Sequence, residues 1–450
     1  MKKYIVAVTC VVLLALLLIW SASRTGEPVR PDVPDPPDEQ EQQEQPEEPV
    51  EPDEPEQPEE PVEPEEPDQP EEPVEPEEPE ESEQPEEPEE PDVPPAPDTA
   101  EARLAQMTLR EKVGQVFWIL PEQLVPGVAN SKIRDSSLTA VTSVTGAMGE
   151  TLAQYPAGGF VLFSRNIRTP AQLKAMTDGL RSACDVAPVI AVDEEGGRVA
   201  RIARNPAFGV ANVGSMESLA ASGDPAHVRA AAAEIGAYLA AYGFTMDLAP
   251  VADMNTNPQN VVIGDRAFGS DPDTVSAMVA AYVEGLHSQG VSSVLKHFPG
   301  HGDTVDDSHK GTVTVNKTWE ELCQEELIPF IRNFRGTDAV MVAHINLPNV
   351  TDDGLPATLS RELIHNKLRQ ELGYDGLILT DSLCMGAIID NYTPAQAAVL
   401  AFEAGSDVLL LPENYVEAFE GLLSAVEKGQ ITEERLDESV LRILRVKYGG

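Results

Sequence analysis

Basic residues and cysteines are both scarce in this chain. Its 450 residues include 31 Lys and Arg against 77 Asp and Glu, which gives a formal charge of −46. No stretch forms the positive stripe that would bind a phosphate backbone, so the sequence argues against a nucleic-acid partner. Only Cys184, Cys323 and Cys384 follow the N-terminal Cys10. Their odd number and unrelated spacing argue against a disulfide framework.

Long hydrophobic runs are also lacking, with one exception near the start. Met1-Lys2-Lys3 is followed by an apolar run from Tyr4 to Trp20. A positive start before such a run indicates an export signal in residues 1–26. The run is long for a cleaved signal peptide and short for a membrane-spanning helix, so both alternatives stay open. Either way, we expect the body of the protein to lie outside the cytoplasm, anchored to the membrane or secreted.

Apolar residues are almost absent from residues 27–98, which consist mainly of Pro, Glu, Asp and Gln and carry a charge of −32. Three twelve-residue repeats begin at Pro46, Pro58 and Pro70, each with Pro-Glu-Glu-Pro-Val-Glu-Pro. Such a segment cannot bury a core, and its like charges repel each other. We expect a disordered acidic linker. It is either a stalk that holds a domain away from the membrane or a solubilising spacer.

Residues 99–450 have ordinary composition and alternate short apolar runs with longer amphipathic ones. The capping pattern predicts helices over 225–242, 271–288, 318–334, 360–372, 393–404 and 432–448, most preceded by Ser, Thr or Asp and followed by Gly. Eight strands are predicted, at 115–119, 159–163, 189–192, 245–250, 292–295, 339–343, 376–380 and 408–411. This alternation predicts an α/β fold, a (β/α)₈ barrel of the TIM type, with a doubly wound open sheet as the alternative.

Ionisable residues follow four of these predicted strands. Asp193 follows the third strand, Lys296-His297 the fifth, His344 the sixth and Asp381 the seventh. Because functional side chains of a (β/α)₈ barrel lie at the carboxyl ends of its strands, this placement favours an enzyme over a scaffold.

The fifth strand leads into a dense set of ionisable residues. Lys296-His297-Phe298-Pro299-Gly300-His301-Gly302-Asp303-Thr304 is followed by Asp307-Ser308-His309. In an extended loop, Asp307 and His309 project to the same side, so the carboxylate can orient the imidazole as a general acid/base. Two alternatives remain: a solvated turn, or a metal site that uses His297, His301, Asp303 and His309.

Together with three other segments, this motif resembles the signature of the glycoside hydrolase family 3 β-N-acetylglucosaminidases. The other segments are Ala191-Val192-Asp193-Glu194-Glu195-Gly196-Gly197-Arg198-Val199, Ile263-Gly264-Asp265-Arg266-Ala267-Phe268 and Leu379-Thr380-Asp381-Ser382-Leu383. The resemblance covers nearly all of residues 99–450. It implies one (β/α)₈ catalytic domain that needs no cofactor and no metal.

The resemblance also assigns roles to individual residues. It implies a retaining mechanism in which Asp381 is the nucleophile and forms a covalent glycosyl-enzyme intermediate, while His309 is the acid/base and Asp307 orients it. A histidine replaces the second carboxyl group that retaining glycosidases commonly use. The substrate contacts implied for this chain are Asp193, Arg201, Arg266, Lys296 and His297. Arg198, by contrast, is expected to be a structural ion-pair partner.

The implied substrate is a terminal, non-reducing N-acetylglucosamine on peptidoglycan fragments or a related glycan such as a chitin oligomer. Two alternatives stay open: an N-acetyl-β-glucosaminide phosphorylase, and a metal-dependent hydrolase that uses the His297–His309 cluster. We expect a monomer whose catalytic parts all come from the barrel. Residues 121–154 are expected to be an insertion that shapes the cleft.

Overall fold

The computed structural model describes residues 99–126, 139–304 and 313–448. The predicted leader, linker and the Asp307–His309 pair therefore lie outside the described residues. Ten strands occur in the described parts, and they are numbered in chain order: β1 Phe117–Ile119, β2 Gly159–Val161, β3 Val189–Val192, β4 Met246–Asp247, β5 Ser292–Phe298, β6 Val313–Thr314, β7 Ala339–Val342, β8 Ile345–Asn346, β9 Leu377–Thr380 and β10 Leu409–Leu410.

Eight of these strands form one parallel sheet, in the order β10-β1-β2-β3-β4-β5-β7-β9. The two ends of the sheet meet at a parallel bridge between Leu379 and Val408, which closes the ring. Strands β6 and β8 pair separately beside it. The strands that the sequence predicted are all present, and the (β/α)₈ barrel is confirmed over the open-sheet alternative. Buried apolar side chains fill the strands, as expected where helices cover a parallel sheet.

Helices surround the barrel, and most begin at a residue whose side chain caps the first turn. Thr318 and Thr393, for example, form capping boxes with Glu321 and Gln396, which satisfies backbone N–H groups at the start of each helix. The longer helices are Pro170–Ser182, Pro225–Ala241, Pro272–His287, Pro394–Ala404, Tyr415–Glu427 and Glu433–Tyr448. A π-type helix covers Glu362–Glu371. None of the helices in residues 99–126, 139–304 and 313–448 is long and apolar enough to cross a membrane.

The helix predicted over 318–334 is wrong in one respect, because the structure divides it in two. Helix Trp319–Gln324 ends at Glu325, whose backbone is not helical, and Ile328–Asn333 then begins. Pro329 at the start of the second helix has no N–H to donate to the preceding turn. The apolar periodicity continues across the break, which is why it did not reveal the interruption.

The segment at 121–154 contributes the short helical turn Pro121–Leu124 and the helix Gly146–Gln154. Glu122 is fully buried, and its Oε1 accepts a hydrogen bond of 2.7 Å from the side-chain amide of Asn166. The same amide donates to the Val141 carbonyl at 2.9 Å. Asn166 follows β2, so these bonds attach the described ends of the segment to the rim of the barrel.

At the opposite end of the barrel, His287 joins two strands. Its Nε2 lies 2.7 Å from Asp338 Oδ2, which also accepts from the Ser293 N–H at the start of β5. The hydrogen bond to Asp338 raises the pKa of His287 above its ordinary value. The bond therefore stabilises the fold most when the imidazole is charged.

We expect the His287–Asp338 pair to make stability depend on pH. Since the pKa of His287 is raised in the folded state, its contribution is fully present below about pH 6.5 and is lost as the pH rises through the folded value. His287→Gln should lower the free energy of unfolding by about 0.5 kcal/mol at pH 6, because the pair is partly exposed and screened. The difference should vanish by about pH 9, as urea titrations at both pH values would show. A deficit that grew with pH would contradict this sign.

Candidate active site

A cavity of about 240 Å³ opens at the carboxyl ends of the barrel strands. Six residues that the sequence assigned to the site line it: Asp193, Arg201, Arg266, Lys296, His297 and Asp381. Strand β5 continues to Phe298, so Lys296 and His297 belong to the strand itself and not to the loop after it. Apolar side chains such as Phe163 and Met341 complete the wall. The cavity thus combines charged side chains with an apolar wall.

Lys296 is the central cation of this cavity, and it is 2% exposed. Its Nζ lies 2.8 Å from Asp193 Oδ1 and 2.6 Å from Glu195 Oε1. Burial alone would lower the pKa of Lys296, but the two carboxylates outweigh it and raise the pKa. Lys296 therefore stays charged. An ammonium group has three N–H donors, and two carboxylates take two of them, which leaves one for a ligand.

Glu195 connects Lys296 to Arg266. The guanidinium of Arg266 binds the Glu195 carboxylate through two hydrogen bonds, of 2.8 Å from Nε and 2.7 Å from Nη2. Burial would raise the pKa of Glu195, but Arg266 and Lys296 outweigh it and hold that pKa far below its usual range. Bidentate pairing fixes the orientation of the guanidinium as well as its charge. Glu195 thus holds two of the predicted substrate-contact residues in place.

Arg201 reaches Asp193 from the other side, with 3.5 Å between Nη2 and Oδ2. Its guanidinium lies 5.6 Å from the centre of the Phe163 ring. The loop that carries Arg201 is organised by the buried carboxylate of Glu194, which accepts from the backbone N–H groups of Ile202 and Ala203 at 2.9 and 2.8 Å. A buried carboxylate that collects backbone donors makes a loop rigid.

His297 is oriented by Asp253, another acid that is fully buried. Asp253 Oδ2 lies 2.7 Å from His297 Nδ1, and Oδ1 accepts from the backbone N–H groups of His297 and His301 at 3.1 and 2.7 Å. Burial would raise the pKa of Asp253, but the adjacent His297 lowers it overall. Because an ionised Asp253 can only accept, the imidazole hydrogen that it binds lies on Nδ1 of His297. The other ring nitrogen, Nε2, lies 3.5 Å from Nη2 of Arg266.

His301 lines the cavity beside His297, with 5.9 Å between the two ring centres. Its Nδ1 lies 2.7 Å from the Thr304 hydroxyl. Burial, together with the charge of His297, lowers the pKa of His301. We expect a neutral imidazole here, which is able to donate or accept one hydrogen bond.

Asp381 lies directly after β9. Its backbone N–H donates to the Val342 carbonyl at 2.9 Å, and its Oδ1 accepts from the Ser382 N–H at 2.7 Å. His344, grouped from the sequence with the functional strand-end residues, does not line the cavity. Its ring lies 2.9 Å from the Ser382 carbonyl through Nε2 and 2.8 Å from the Thr358 hydroxyl through Nδ1. His344 therefore helps to hold the backbone that follows Asp381 in place.

The sequence assigned no role in sugar binding to three residues of this site, Glu195, Asp253 and His301, and His301 was considered only as a possible metal ligand. Glu195 and His301 lie in segments that the sequence marked as motifs, whereas Asp253 lies outside all of them. The side-chain partners of Glu195 and Asp253, which are Arg266 and His297, lie 71 and 44 residues away in the chain. Arg198 was correctly interpreted as structural, since its Nε lies 2.8 Å from Asp265 and its Nη2 donates to the carbonyls of Val262 and Ile263.

The metal alternative gains no support from the described parts of the chain. Among residues 99–126, 139–304 and 313–448, no three His, Cys, Asp or Glu side chains are grouped so that they could hold a metal ion. His297 is bonded to Asp253 and His301 to Thr304. Cys184, Cys323 and Cys384 form no disulfide with one another. Asp307 and His309 lie outside the described residues, so their assigned roles stay predictions.

Residues 108–446 match the family model described as the glycosyl hydrolase family 3 N terminal domain. The chain is 33% identical over 334 residues to β-hexosaminidase A of Pseudoalteromonas piscicida, which covers 68% of this chain and 56% of that protein. It is also 33% identical over 357 residues to a β-N-acetylglucosaminidase/β-glucosidase of Cellulomonas fimi, with 76% and 58% covered. The chain thus spans a little over half the length of these two curated relatives.

Solved structures agree with these sequence matches. A family 3 β-N-acetylglucosaminidase from a Paenibacillus species superposes with a TM-score of 0.69 at 38% identity, covering 76% of this chain and 62% of that one. LpqI of Mycobacterium tuberculosis superposes with a TM-score of 0.67 at 30% identity, covering 78% and 96%. The barrel, the residues in its cavity and these matches lead to one conclusion. This chain is a member of glycosyl hydrolase family 3.

Proposed function

We propose that this protein is a retaining, exo-acting β-N-acetylglucosaminidase. It would release terminal, non-reducing N-acetylglucosamine from peptidoglycan fragments or related glycans. The observation that carries this proposal is the placement of Asp381 in the same cavity as Asp193, Arg266 and Lys296. The names of several relatives, β-hexosaminidase and β-N-acetylglucosaminidase, point to the same sugar.

The shape and chemistry of the cavity support action on a single terminal sugar. Its volume of about 240 Å³ is below the range of roughly 300–1,000 Å³ that is typical of pockets for larger ligands. The carboxylate of Asp193 can accept from sugar hydroxyl groups, while Arg201, Arg266 and Lys296 can donate to hydroxyl or acetamido oxygens. A cavity of this kind fits the end of a glycan better than its middle.

In the proposed reaction, Asp381 attacks the anomeric carbon and forms a covalent glycosyl-aspartate. His309, oriented by Asp307, donates a proton to the leaving oxygen and later takes one from the water that hydrolyses the intermediate. The remaining charged side chains hold the sugar so that this carbon lies in front of Asp381. No cofactor takes part.

The location of the protein is part of the proposal. We infer from the sequence of residues 1–26 that the chain is exported, then anchored or secreted, and acts on material outside the cytoplasm. We also propose that it acts as a monomer. If the leader is retained, the acidic linker 27–98 would place the barrel at a distance from the membrane.

We expect the full chain to hydrolyse 4-nitrophenyl N-acetyl-β-glucosaminide with a kcat/KM at least about 100-fold above that for the β-glucoside. Buried polar groups that bind the acetamido group would lack partners with the glucoside. Release of nitrophenol measures both rates. Faster cleavage of the glucoside would overturn the sugar assignment.

The natural substrate and the acceptor need a separate measurement. The full chain is incubated with muropeptides and with chitobiose, each with and without phosphate, and the products are identified by mass. Free N-acetylglucosamine under all conditions supports a hydrolase. N-acetylglucosamine 1-phosphate that appears only with phosphate would identify a phosphorylase instead.

A further inference from the structure

Asp247 is a buried acid that lies beneath the cavity and does not line it. It is the last residue of β4, it is fully buried, and it pairs in register with Val192 of β3. Its Oδ1 accepts the backbone N–H of Glu194 at 2.9 Å. Its Oδ2 has no hydrogen-bond partner among the described residues. An ionised carboxylate that is buried with an unpartnered oxygen is costly, whereas a protonated acid is much less so.

The surroundings of Asp247 contain more negative than positive charge. Burial is the main cause that raises the pKa of Asp247 well above its usual value, and the carboxylates of Glu194 and Asp193 add to this effect. The hydrogen bond from the Glu194 N–H and the charge of Lys296 oppose it without reversing it. The ionisable groups that interact with Asp247 are Asp193, Glu194, Tyr238, Tyr282 and Lys296. Lys296, the cation of this set, is already bonded to two carboxylates.

The hydrogen bond from the Glu194 N–H lets Asp247 hold the backbone segment between Asp193 and Glu195. Glu194 lies between Asp193 and Glu195, the two residues that hold Lys296. Its N–H binds Asp247, and its carbonyl accepts from the Tyr282 hydroxyl at 3.2 Å. The peptide groups on both sides of Glu194 are therefore held in place by Asp247 and Tyr282. A shift of this segment would move both carboxylates relative to Lys296.

We propose that Asp247 is a neutral carboxylic acid that positions the Asp193–Glu195 backbone, and with it the two carboxylates that hold Lys296. The neutral state of Asp247 leaves the charge of Lys296 to Asp193 and Glu195. An ionised Asp247 would be a third carboxylate beside one ammonium group and would compete for it. A neutral acid accepts the Glu194 N–H without that competition. The link to turnover rests on the proposed function, but the protonation state does not.

The protonation state is tested by unfolding the full chain and its Asp247→Asn variant between pH 4 and pH 8. A group whose pKa is raised on folding contributes its full stabilisation when the pH is below its pKa in the unfolded state. This contribution is lost as the pH rises toward the pKa in the folded state. The unfolded value of Asp is about 3.9. Asparagine cannot lose a proton, so only the parent should lose stability as the pH rises. The ratio of the folding constants of variant and parent should therefore increase about tenfold for each unit by which the pH rises. Asp375→Asn, at an exposed position, is the matched control and should show no such slope.

A relative stability of Asp247→Asn that stays constant or falls with pH would show an ionised Asp247 and would overturn the proposal. This measurement requires no substrate, so it is informative even if the proposed activity is absent.

The positioning role is tested by kinetics of Asp247→Ala and Asp247→Asn. Alanine removes the acceptor for the Glu194 N–H, and we expect kcat/KM to fall at least tenfold, mainly through KM. The asparagine side-chain oxygen restores that acceptor and should recover most of the loss. Asp247→Leu, which fills the space, replaces alanine if that variant does not fold. Equal losses for asparagine and alanine, or no loss for either apolar variant, would contradict the positioning role.

Discussion

Replacing Asp381 by Asn is expected to lower kcat by about 10⁴-fold or more, the order of loss seen when a catalytic nucleophile is removed. The amide has nearly the shape of the carboxylate, and its oxygen can still accept from the Ser382 N–H. Folding and binding of the sugar should therefore change little. The loss should appear in kcat, because the covalent bond to the anomeric carbon forms only during the reaction. Hydrolysis of the nitrophenyl N-acetyl-β-glucosaminide measures it.

Two further observations separate a nucleophile from an acid that merely binds the sugar. With Asp381→Gly, added azide should restore turnover and give a glycosyl azide of inverted configuration, because the small anion occupies the vacated space. Asp265→Asn is the matched control. Asp265 is a more exposed acid paired with Arg198, and its change should alter kcat less than about threefold. Near-normal turnover of Asp381→Asn would remove Asp381 from its proposed role.

The barrel was predictable from the sequence because its signals are local. Each predicted strand is a short apolar run that ends in Pro or is followed within two residues by Pro or an ionisable residue. Each long helix has a cap within a few residues of its start. The position of Asp381 after its strand followed from the same reasoning. A barrel places the ends of all its strands around one opening. For this reason Asp193, Lys296 and Asp381 were expected to meet, and they line one cavity.

The pairing of side chains inside that cavity was not predictable in the same way. Glu195 and Arg266 are 71 residues apart, and Asp253 and His297 are 44 apart. A sequence shows that acids and cations follow several strands, but the partner of each depends on loop paths that no periodicity encodes. His344 shows another limit of the sequence. Its place after β7 is typical of a functional residue, yet its ring faces the segment behind Asp381.

The role of Asp247 also depends on information that only coordinates contain. From the sequence it is an acid within the apolar segment at 245–250, next to Met246 and Leu248, and nothing there distinguishes an ion pair from a neutral acid. The distinction depends on burial, on one unpartnered oxygen and on the distribution of charge around it. Burial can reverse the usual ionisation of a carboxyl group.

The second large effect is expected at Lys296. Replacing it by Met keeps most of the unbranched side chain but removes the ammonium group, and Asp193 and Glu195 then lose their shared cation. Breaking a buried ion pair by removing one partner costs about 3–5 kcal/mol. Because Glu195 keeps Arg266, we expect the lower end, about 3 kcal/mol at pH 7, measured by urea unfolding of the full chain. Binding of N-acetylglucosamine should also be lost, since the free N–H donor is gone.

The pH dependence of this deficit distinguishes the ion pair from simple loss of packing. The pKa values of Asp193 and Glu195 are lowered in the folded state, so their contribution is present above about pH 4 and is lost as the pH falls through the folded values. The deficit of Lys296→Met should therefore be largest at neutral pH and should decrease toward pH 3. Lys174→Met, which breaks the half-exposed pair with Asp178, is the matched control and should cost less than about 1 kcal/mol. A deficit at Lys296 that is the same at every pH would mean that the lysine stabilises the barrel through its aliphatic chain and that its charge contributes little.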